Sequence, residues 1–463
     1  MIEREEIDQK SQEFDVKTSD VQRDYVFGWF LKAVFENDYL RNRLILKGGN
    51  AFRKAYFAET RFSRDLDFSL REALDIDHMQ TAINEACAYA SVYSGIDFDV
   101  ERNRLKHAYA IDKDRQSYKG QVYFKDFYGN PNAITISIRL DITEFDKLLI
   151  EPRWKPLIHP YSDGSDCQSE VFCMSLEELV ANKLKCLIQR RHTNDLFDLV
   201  YATYVQPPED FDRGLVTSTF LRKTIFQGSP GSARETLLGI PMDFFRGAWD
   251  RYIVCPIASR IDFESVSDAF QTIIASFFQT FGIERKSAAF IGPEFRNLIL
   301  EAGSAQKLLF VTYGGVRREV EPYALSFKRR KDGQAFEYFY GYDRTGGTSG
   351  EGIKAFLPGK IENVEAGQDT FDPRFEIELG KAGEHSGDGY FSKQSSRGIG
   401  NIGRRKPSAR RTRSVPNPYA TTYKVQCASC GKVFTRKTAS TALKKHKTPA
   451  GWDCYGRVGF RVF

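Results

Sequence analysis

Along the first 200 residues the apolar positions change period several times, and each change marks an element. Val21, Tyr25, Trp29 and Ala33 recur at helical spacing behind a Thr-Ser-Asp capping signal, which predicts one amphipathic helix over residues 18–36. A strand at 44–46 follows, closed by Gly48-Gly49 and a short helix. In DLDFSLRE the period falls to two, with Asp65, Asp67 and Ser69 on one face and Leu66, Phe68 and Leu70 on the other. A helix is predicted over 78–93, then strands at 96–101, 121–124 and 133–143. In the last, Ile134, Ile136, Ile138 and Leu140 alternate with Thr135, Ser137, Arg139 and Asp141. Helices resume at Leu176 and after Asn194. Residues 205–285 read as mainly helical. Residues 295–379 read as a short helix and several strands, in one of which Phe336, Tyr338, Tyr340 and Tyr342 alternate as core residues would.

Beyond that point the pattern breaks. Residues 381–420, rich in Gly, Ser, Arg and Pro, predict a flexible basic linker, and 421–463 a separate compact unit. The division expected is therefore 1–285, 286–380, 381–420 and 421–463, an α+β chain of several domains, as 463 residues require. Composition adds exclusions. No run approaches the ~18 apolar residues of a membrane span, and the charged opening MIEREEIDQK has no apolar region of a secretory signal, so a cytoplasmic protein with no membrane partner is expected. Five scattered cysteines (Cys87, Cys167, Cys173, Cys186, Cys255) read as reduced thiols. The net charge of +6 is polarised: residues 381–463 hold 18 Lys/Arg against 3 Asp/Glu, a balance of +15, which leaves −9 for the rest. An acidic body with a basic tail points to a polyanion met by the tail.

Two aspartates at i and i+2 on a strand project from one face, and Asp141 on a neighbouring strand can converge with them. Three such carboxylates suit two Mg²⁺ ions about 3.5 to 4 Å apart, which activate an attacking oxygen and neutralise leaving pyrophosphate. Gly48 and Gly49, between a strand and a helix, leave backbone N–H groups free for phosphate. Alone, a Gly-Gly pair is more often an ordinary tight turn and DxD more often a solvated edge or an isolated cation ligand; the order strand, Gly-Gly, helix, DxD strand, distal Asp is that of polymerase-beta-like nucleotidyltransferases. Lys183 lies at the edge of the stripe Leu176, Leu179, Val180, Leu184, Leu187, Ile188, which fits an inward ammonium or a stem snorkelling past the core. Thr193, Asn194 and Asp195 are all natural N-caps for the next helix.

The stretch RDYVFGWFLKAVFENDYLRNRLILKGGNAFRKAYFAETRFSRDLDFSL resembles the opening of AbiEii-type toxin nucleotidyltransferases, and LDITEFDKLLIEPRWKPLIHPYSD and SLEELVANKLKCLIQRRHTNDLFDLVY resemble their later blocks. The resemblance covers about residues 20–205. It implies that Gly48, Gly49 and Asn50 cradle the triphosphate of an NTP, with Arg53 also on the nucleotide. Asp65, Asp67 and Asp141 would bind Mg²⁺, Lys183 would meet phosphate, and Asp195, with Asp198, would complete the catalytic set. Three departures stand out: Asn50 in place of the usual Thr or Ser, Asn182 in place of Glu before the Lys, and Asn194 in place of Arg before the Asp.

VTYGGVRREVEPY, EYFYGYDR, GIKAFLPGKIENVE and FDPRFEIEL resemble a divergent WYL-type domain, a small Sm-like beta-barrel. The name-giving triad is Glu337-Tyr338-Phe339 here, and Arg317, Lys354 and Lys360 are implied ligand contacts, against an accessory barrel with an aromatic core. In the terminal unit, Cys427-x2-Cys430 followed by Gly-Lys is a knuckle whose amides can point at thiolates, and His446 and Cys454 complete four ligands for a structural Zn²⁺ with no open position. The segment between them, TASTALKKHK, reads as helix-like. Lys432, Arg436, Lys437, Lys444, Lys445 and Lys447, interleaved with Phe434 and Trp452 and joined to RRKPSARRTR, suggest nucleic-acid contact. Together these readings lead to an enzyme, a toxin-like, metal-dependent nucleotidyltransferase of phage defence or a toxin–antitoxin system. It would move NMP from an NTP to an acceptor, RNA or tRNA being favoured, with a cognate antitoxin as a further partner. The alternatives are NMP transfer to a protein and a non-catalytic nucleic-acid-binding regulator.

Overall fold

The computed structural model describes residues 2–73, 75–110, 116–128, 135–144, 146–281, 288–330, 333–346, 350–384 and 391, and 423–427, 429–430, 432–436, 443–447, 453–454 and 459–462 near the C-terminus. Residues up to Ile399 form one compact unit, and Gly400 to Phe463 a second.

The first unit is organised by a mixed seven-stranded sheet in the order β3-β4-β5-β2-β1-β7-β6. Its strands are β1 (Leu44–Lys47), β2 (Asp65–Leu70), β3 (Arg104–Ala110), β4 (Gln116–Lys125), β5 (Thr135–Glu144), β6 (Arg153–Pro156) and β7 (Glu170–Cys173). β2 is central, antiparallel to β1 and parallel to β5. The alternation expected in β5 is observed: Ile136, Ile138, Leu140 and Ile142 are buried, while Arg139 is exposed.

Two sequence expectations need correction. The helix Thr18–Glu36 is not amphipathic: 14 of its 19 residues are buried, Asp20, Gln22 and Asp24 among them, so it is packed on nearly every side. Asp24 is tolerated there because Arg53 Nε lies at 2.7 Å and Lys54 Nζ at 3.0 Å, and losing either partner of such a buried pair costs about 3–5 kcal/mol. Residues 96–101 form no strand, only a bridge between Phe98 and Phe124. β3 and β6 are largely exposed, and the buried β7 is only four residues long, so periodicity shows none of them.

Helices cover the stretch from Leu176 to Phe277, beginning with Leu176–Gln189 and Thr193–Val200. Among the described residues no helix is long and apolar enough to cross a membrane.

A second sheet, β11-β10-β9-β8-β12, comprises β8 (Lys307–Tyr313), β9 (Val316–Arg329), β10 (Ala335–Asp343), β11 (Gly352–Phe356) and β12 (Ile361–Thr370), packed on the helix Pro293–Ser304. Its edges β11 and β12 do not pair, so among the described residues the strands form an open sheet rather than the barrel expected. Nor do the tyrosines of β10 mark its deepest face. Glu337, Phe339 and Asp343 are at most 1% exposed, whereas Phe336, Tyr338 and Tyr342 are half-buried. Glu337 is held inside by an ion pair with the equally buried Arg296 and accepts a hydrogen bond from Ile291 N–H at 3.2 Å. Arg317 pairs with Glu365 at the surface, and Lys360 is exposed.

The start of the expected linker is part of this unit. Gly383 C=O accepts a hydrogen bond from Ile225 N–H at 2.9 Å, Glu384 meets Lys185 at 2.8 Å, and Phe391 is buried against Tyr323 and Tyr340. The remaining linker residues lie outside those described.

In the second unit, β13 (Tyr423–Cys427) pairs with β14 (Val433–Arg436), β15 (His446–Lys447) pairs with β16 (Asp453–Cys454), and β17 (Gly459–Val462) pairs with β13. The last two residues of the segment read as helix-like are thus strand, and 437–442 lie outside the described residues. Among the described residues the buried set is Val425, Cys427, Leu443 and Cys454, too small a core to hold a fold without a further staple.

Candidate functional site

The site is built where β1 hands over to the helix Gly48–Ala51. Gly48 has φ +70°, and a Cβ there would lie 2.0 Å from Asp67 Oδ2. The turn is glycine because its backbone is pressed against the carboxylate of the next strand. Register completes the arrangement: Asp67 lies opposite Lys47 of β1 and beside Asp141 of β5, and Asp141 is opposite Lys119 of β4. A row Lys119, Asp141, Asp67, Lys47 therefore crosses the sheet, with Asp65 one step along the same face. Ser63 Oγ donates to Asp65 Oδ1 at 3.0 Å.

Burial raises the Asp67 carboxyl, and the charges of Asp65 and Asp141, partly offset by Lys47, bring it to about 6. This mutual repulsion is what a bound cation relieves, and the oxygen-only donor set suits a hard ion such as Mg²⁺. The sign follows directly. Protonated Asp67 cannot bind metal, so Mg²⁺ affinity should fall as pH drops through about 6. The metal-free fold should itself lose stability between about pH 4 and 6, as Asp67 ionises. Calorimetric Mg²⁺ titrations across this range check the first effect, and a flat affinity would contradict it.

Behind the carboxylates lies a chain of charges, buried except for Arg190, whose side chain is exposed. Lys183 Nζ sits 2.9 Å from Asp195 Oδ1 and 2.7 Å from Asp198 Oδ2. Arg190 bonds both oxygens of Asp195 at 2.8 and 2.9 Å, and Arg61 both of Asp198 at 2.7 Å. Burial works against the Lys183 ammonium, but Asp195 and Asp198 outweigh it and raise its pKa. Burial would likewise raise Asp195, yet Lys183 and Arg190 hold it well below the carboxylate range. Lys183 is thus inward and paired rather than snorkelling. Asp195 is not the helix cap, since His192 holds that position. Lys183→Ala should leave two carboxylates with one partner each and destabilise the fold by about 3 kcal/mol; an unchanged urea midpoint would show that the arginines alone satisfy them.

Two expected nucleotide contacts are placed elsewhere. Arg53 is 1% exposed, bound to Asp24 and Thr60 C=O, and does not line the cleft. The Asn50 side chain is fully buried and donates to Asp65 C=O at 2.6 Å, tying the turn to β2 from behind. Sequence reasoning missed Arg61 and Arg190; the first lay in RFSRDLDF, and the second carries no signal of its own.

Two clefts open from the shared residues Gly48, Asp67, Lys183 and Arg190. The larger, about 690 Å³, contains Gly49, Asp65, Asp141 and Asp195. The smaller, about 390 Å³, runs past Met174, Asn182 and Gln189.

With that geometry in place, comparison with known proteins is specific for one half of the chain. Residues 29–254 match the family model described as nucleotidyl transferase AbiEii toxin, type IV toxin–antitoxin system. This stretch is similar to nucleotidyltransferases. It contains every member of the carboxylate row and of the charge chain behind it. Among solved structures the chain is similar to MenT4, a nucleotidyltransferase toxin from Mycobacterium tuberculosis H37Rv. The identity is 15% and the TM-score 0.37, over 60% of this chain and 90% of that one, a likeness too loose to carry an argument about the site. No curated protein sequence matches.

In the second unit the potential ligand atoms of Cys427, Cys430, His446 and Cys454 all lie within 4.8 Å of one another, and no disulfide joins them. Cys427 Sγ and Cys454 Sγ are 3.8 Å apart, close to the edge of a tetrahedron with bonds of about 2.3 Å. Against the desolvation that burial imposes, the backbone N–H groups of Ser429 and Cys430 bring the Cys427 thiol down to about 6. His446 Nδ1 lies 2.8 Å from Lys444 C=O, an arrangement that leaves Nε2, 3.4 Å from Cys430 Sγ, as the ligand atom. Lys437 and Trp452 lie outside the described residues.

Proposed function

We propose that this protein is a toxin-type nucleotidyltransferase that moves NMP from an NTP to a hydroxyl of RNA, tRNA being the favoured class. The observation that carries the reading is the face shared by Asp65, Asp67 and Asp141, pressed against the Gly48-Gly49 turn, within the stretch that matches AbiEii toxins. Mg²⁺ held by the three carboxylates would lower the pKa of the acceptor hydroxyl and neutralise charge on the departing pyrophosphate. The rest belongs to the chain. The turn offers backbone N–H groups to the triphosphate, and Lys183, fixed by Asp195 and Asp198, supplies a cation whose position is set before substrate arrives. The acceptor oxygen bonds to the α-phosphorus, the bond from that phosphorus to the bridging oxygen breaks, pyrophosphate leaves, and the hydroxyl proton passes to solvent.

The second unit is a structural Zn²⁺ module, fitted by its three thiolates and one imidazole, and with the basic stretch before it supplies attraction for RNA. An antitoxin partner follows from the same family match. Incubation with each labelled NTP, Mg²⁺ and total cell RNA, resolved on a denaturing gel, tests the reading; label on protein alone, or on nothing, would overturn it.

Because residues 381–384 and 391 pack on the first unit, the informative truncation falls after Ile399. Loss of residues 400–463 should remove most RNA affinity and its salt dependence, since each neutralised phosphate releases counterions, while NTP and Mg²⁺ binding persist. RNA affinity with an unchanged salt slope would assign the tail another task.

A further inference from the structure

The two clefts differ in what remains available beyond the residues they share. Three lysines along the smaller are paired with carboxylates, Lys47 with Asp146, Lys185 with Glu384 and Lys223 with Glu178, and Lys147 donates to Arg222 C=O at 3.0 Å. Its floor includes Met174, Leu179 and Cys186, with the amides of Asn182 and Gln189 beside them, and at about 390 Å³ it has the size and lining of a pocket for one nucleoside. The larger cleft carries Lys119, Arg139 and Arg251, none of which forms an ion pair among the described residues. Lys119 stands opposite Asp141 and Arg139 beside Asp65, so free cations flank the carboxylates along β4 and β5.

The same cleft is lined by Tyr252, 52% exposed on a backbone that is not loose. Trp249, one turn earlier, is buried against Phe197 and Phe263 and donates Nε1–H to Ile261 C=O at 2.9 Å. Val254 C=O accepts from Phe62 N–H at 2.7 Å, which ties this segment to the run leading into Asp65. The Arg251 guanidinium lies 5.4 Å from the Tyr252 ring centre. A large aromatic kept in water on a fixed backbone, beside unpaired cations, is the combination that single-stranded nucleic acid engages. Its phosphates meet the cations and its bases stack on the ring.

We propose that the larger cleft receives the single-stranded end of a nucleic-acid acceptor, its terminal base stacked on Tyr252 and its adjoining phosphates on Lys119, Arg139 and Arg251. The proposal rests on the nucleotidyltransferase reading above and adds to it the place and the contacts of the acceptor.

The test uses the full chain, a short single-stranded RNA with a free 3′ hydroxyl, and the same RNA carrying 4-thiouridine at its end for photocrosslinking. Tyr252→Ala should raise the acceptor KM about tenfold with the NTP KM unchanged, Tyr252→Phe should behave as wild type, and the crosslink should fall on the peptide containing Tyr252. An unchanged acceptor KM in Tyr252→Ala, or a rise in the NTP KM instead, would overturn the assignment. The two readings fail separately. A crosslink at Tyr252 without transfer to any RNA keeps the subsite and removes the nucleotidyltransferase reading; transfer with the crosslink elsewhere does the reverse.

Discussion

Asp67→Ala should reduce nucleotide transfer by roughly a thousandfold or more, the scale seen when a preorganised electrostatic contact to a transition state is removed, while the folded chain becomes no less stable. The second half of this expectation comes from the carboxyl itself. Its raised pKa means that the ionised group destabilises the metal-free fold, through burial first and then through Asp65 and Asp141. Lys47, the cation opposite, keeps its partner Asp146 when Asp67 is gone. An equal or higher melting temperature with activity lost would separate a metal-binding role from a packing role. Full activity in Asp67→Ala would remove the carboxylate from the chemistry, and a marked fall in melting temperature would show that Asp67 contributes to packing.

Cys430→Ser should release one zinc per chain and unfold the terminal unit. Binding energy at such sites is folding energy, on the order of 10 kcal/mol, and among the described residues the alternative support is a buried set of four side chains. Limited proteolysis should then cut within 423–463 while fragments of the first unit survive. Elemental analysis that finds no zinc in freshly prepared wild-type protein would defeat the assignment, as would a protease-resistant Cys430→Ser unit.

What could be read from sequence followed local chemistry. Two-residue alternation in DLDFSL placed Asp65 and Asp67 on one face, and alternation in ITISIRLD placed Asp141 ready to join them; the register pairing Asp67 with Asp141 then arose from long-range packing. The strands β3 and β6 stayed hidden because strands such as RWKP bury almost nothing, and the buried β7, EVFC, is too short for a period to show. The destination of Arg53 was misread for a related reason. A basic residue one turn beyond a Gly-Gly turn faces substrate or core according to what packs behind it, and here Asp24 on the helix Thr18–Glu36 claims it. Asp195 shows the converse. Its residue type alone read as a helix cap and only the resemblance put it in the catalytic set; the proximity of Lys183 and Arg190 makes it the centre of a charge cluster. The aromatic alternation in β10 told half the story: Tyr340 is buried with Tyr338 and Tyr342 beside it, while the opposite face buries Phe339 and the ion pair of Glu337 with Arg296.

Because β2 finds its parallel partner only in β5, and Arg61 finds its carboxylate only at Asp198, the ribosome delivers this site piecemeal. At about 5–20 residues per second, on the order of ten seconds of synthesis separate Asp67 from Asp198. Through that interval the nascent chain carries the aspartates without the scaffold that aligns them, and non-local strand pairing of this kind forms slowly once its segments are available. A fragment released before Asp195 would have to bury Arg61 and Lys183 without these counter-charges, so interrupted translation there leaves unfolded polypeptide rather than a partial core. The spacing of one sheet contact and one ion pair along the chain thereby ties the appearance of activity to completion of the core.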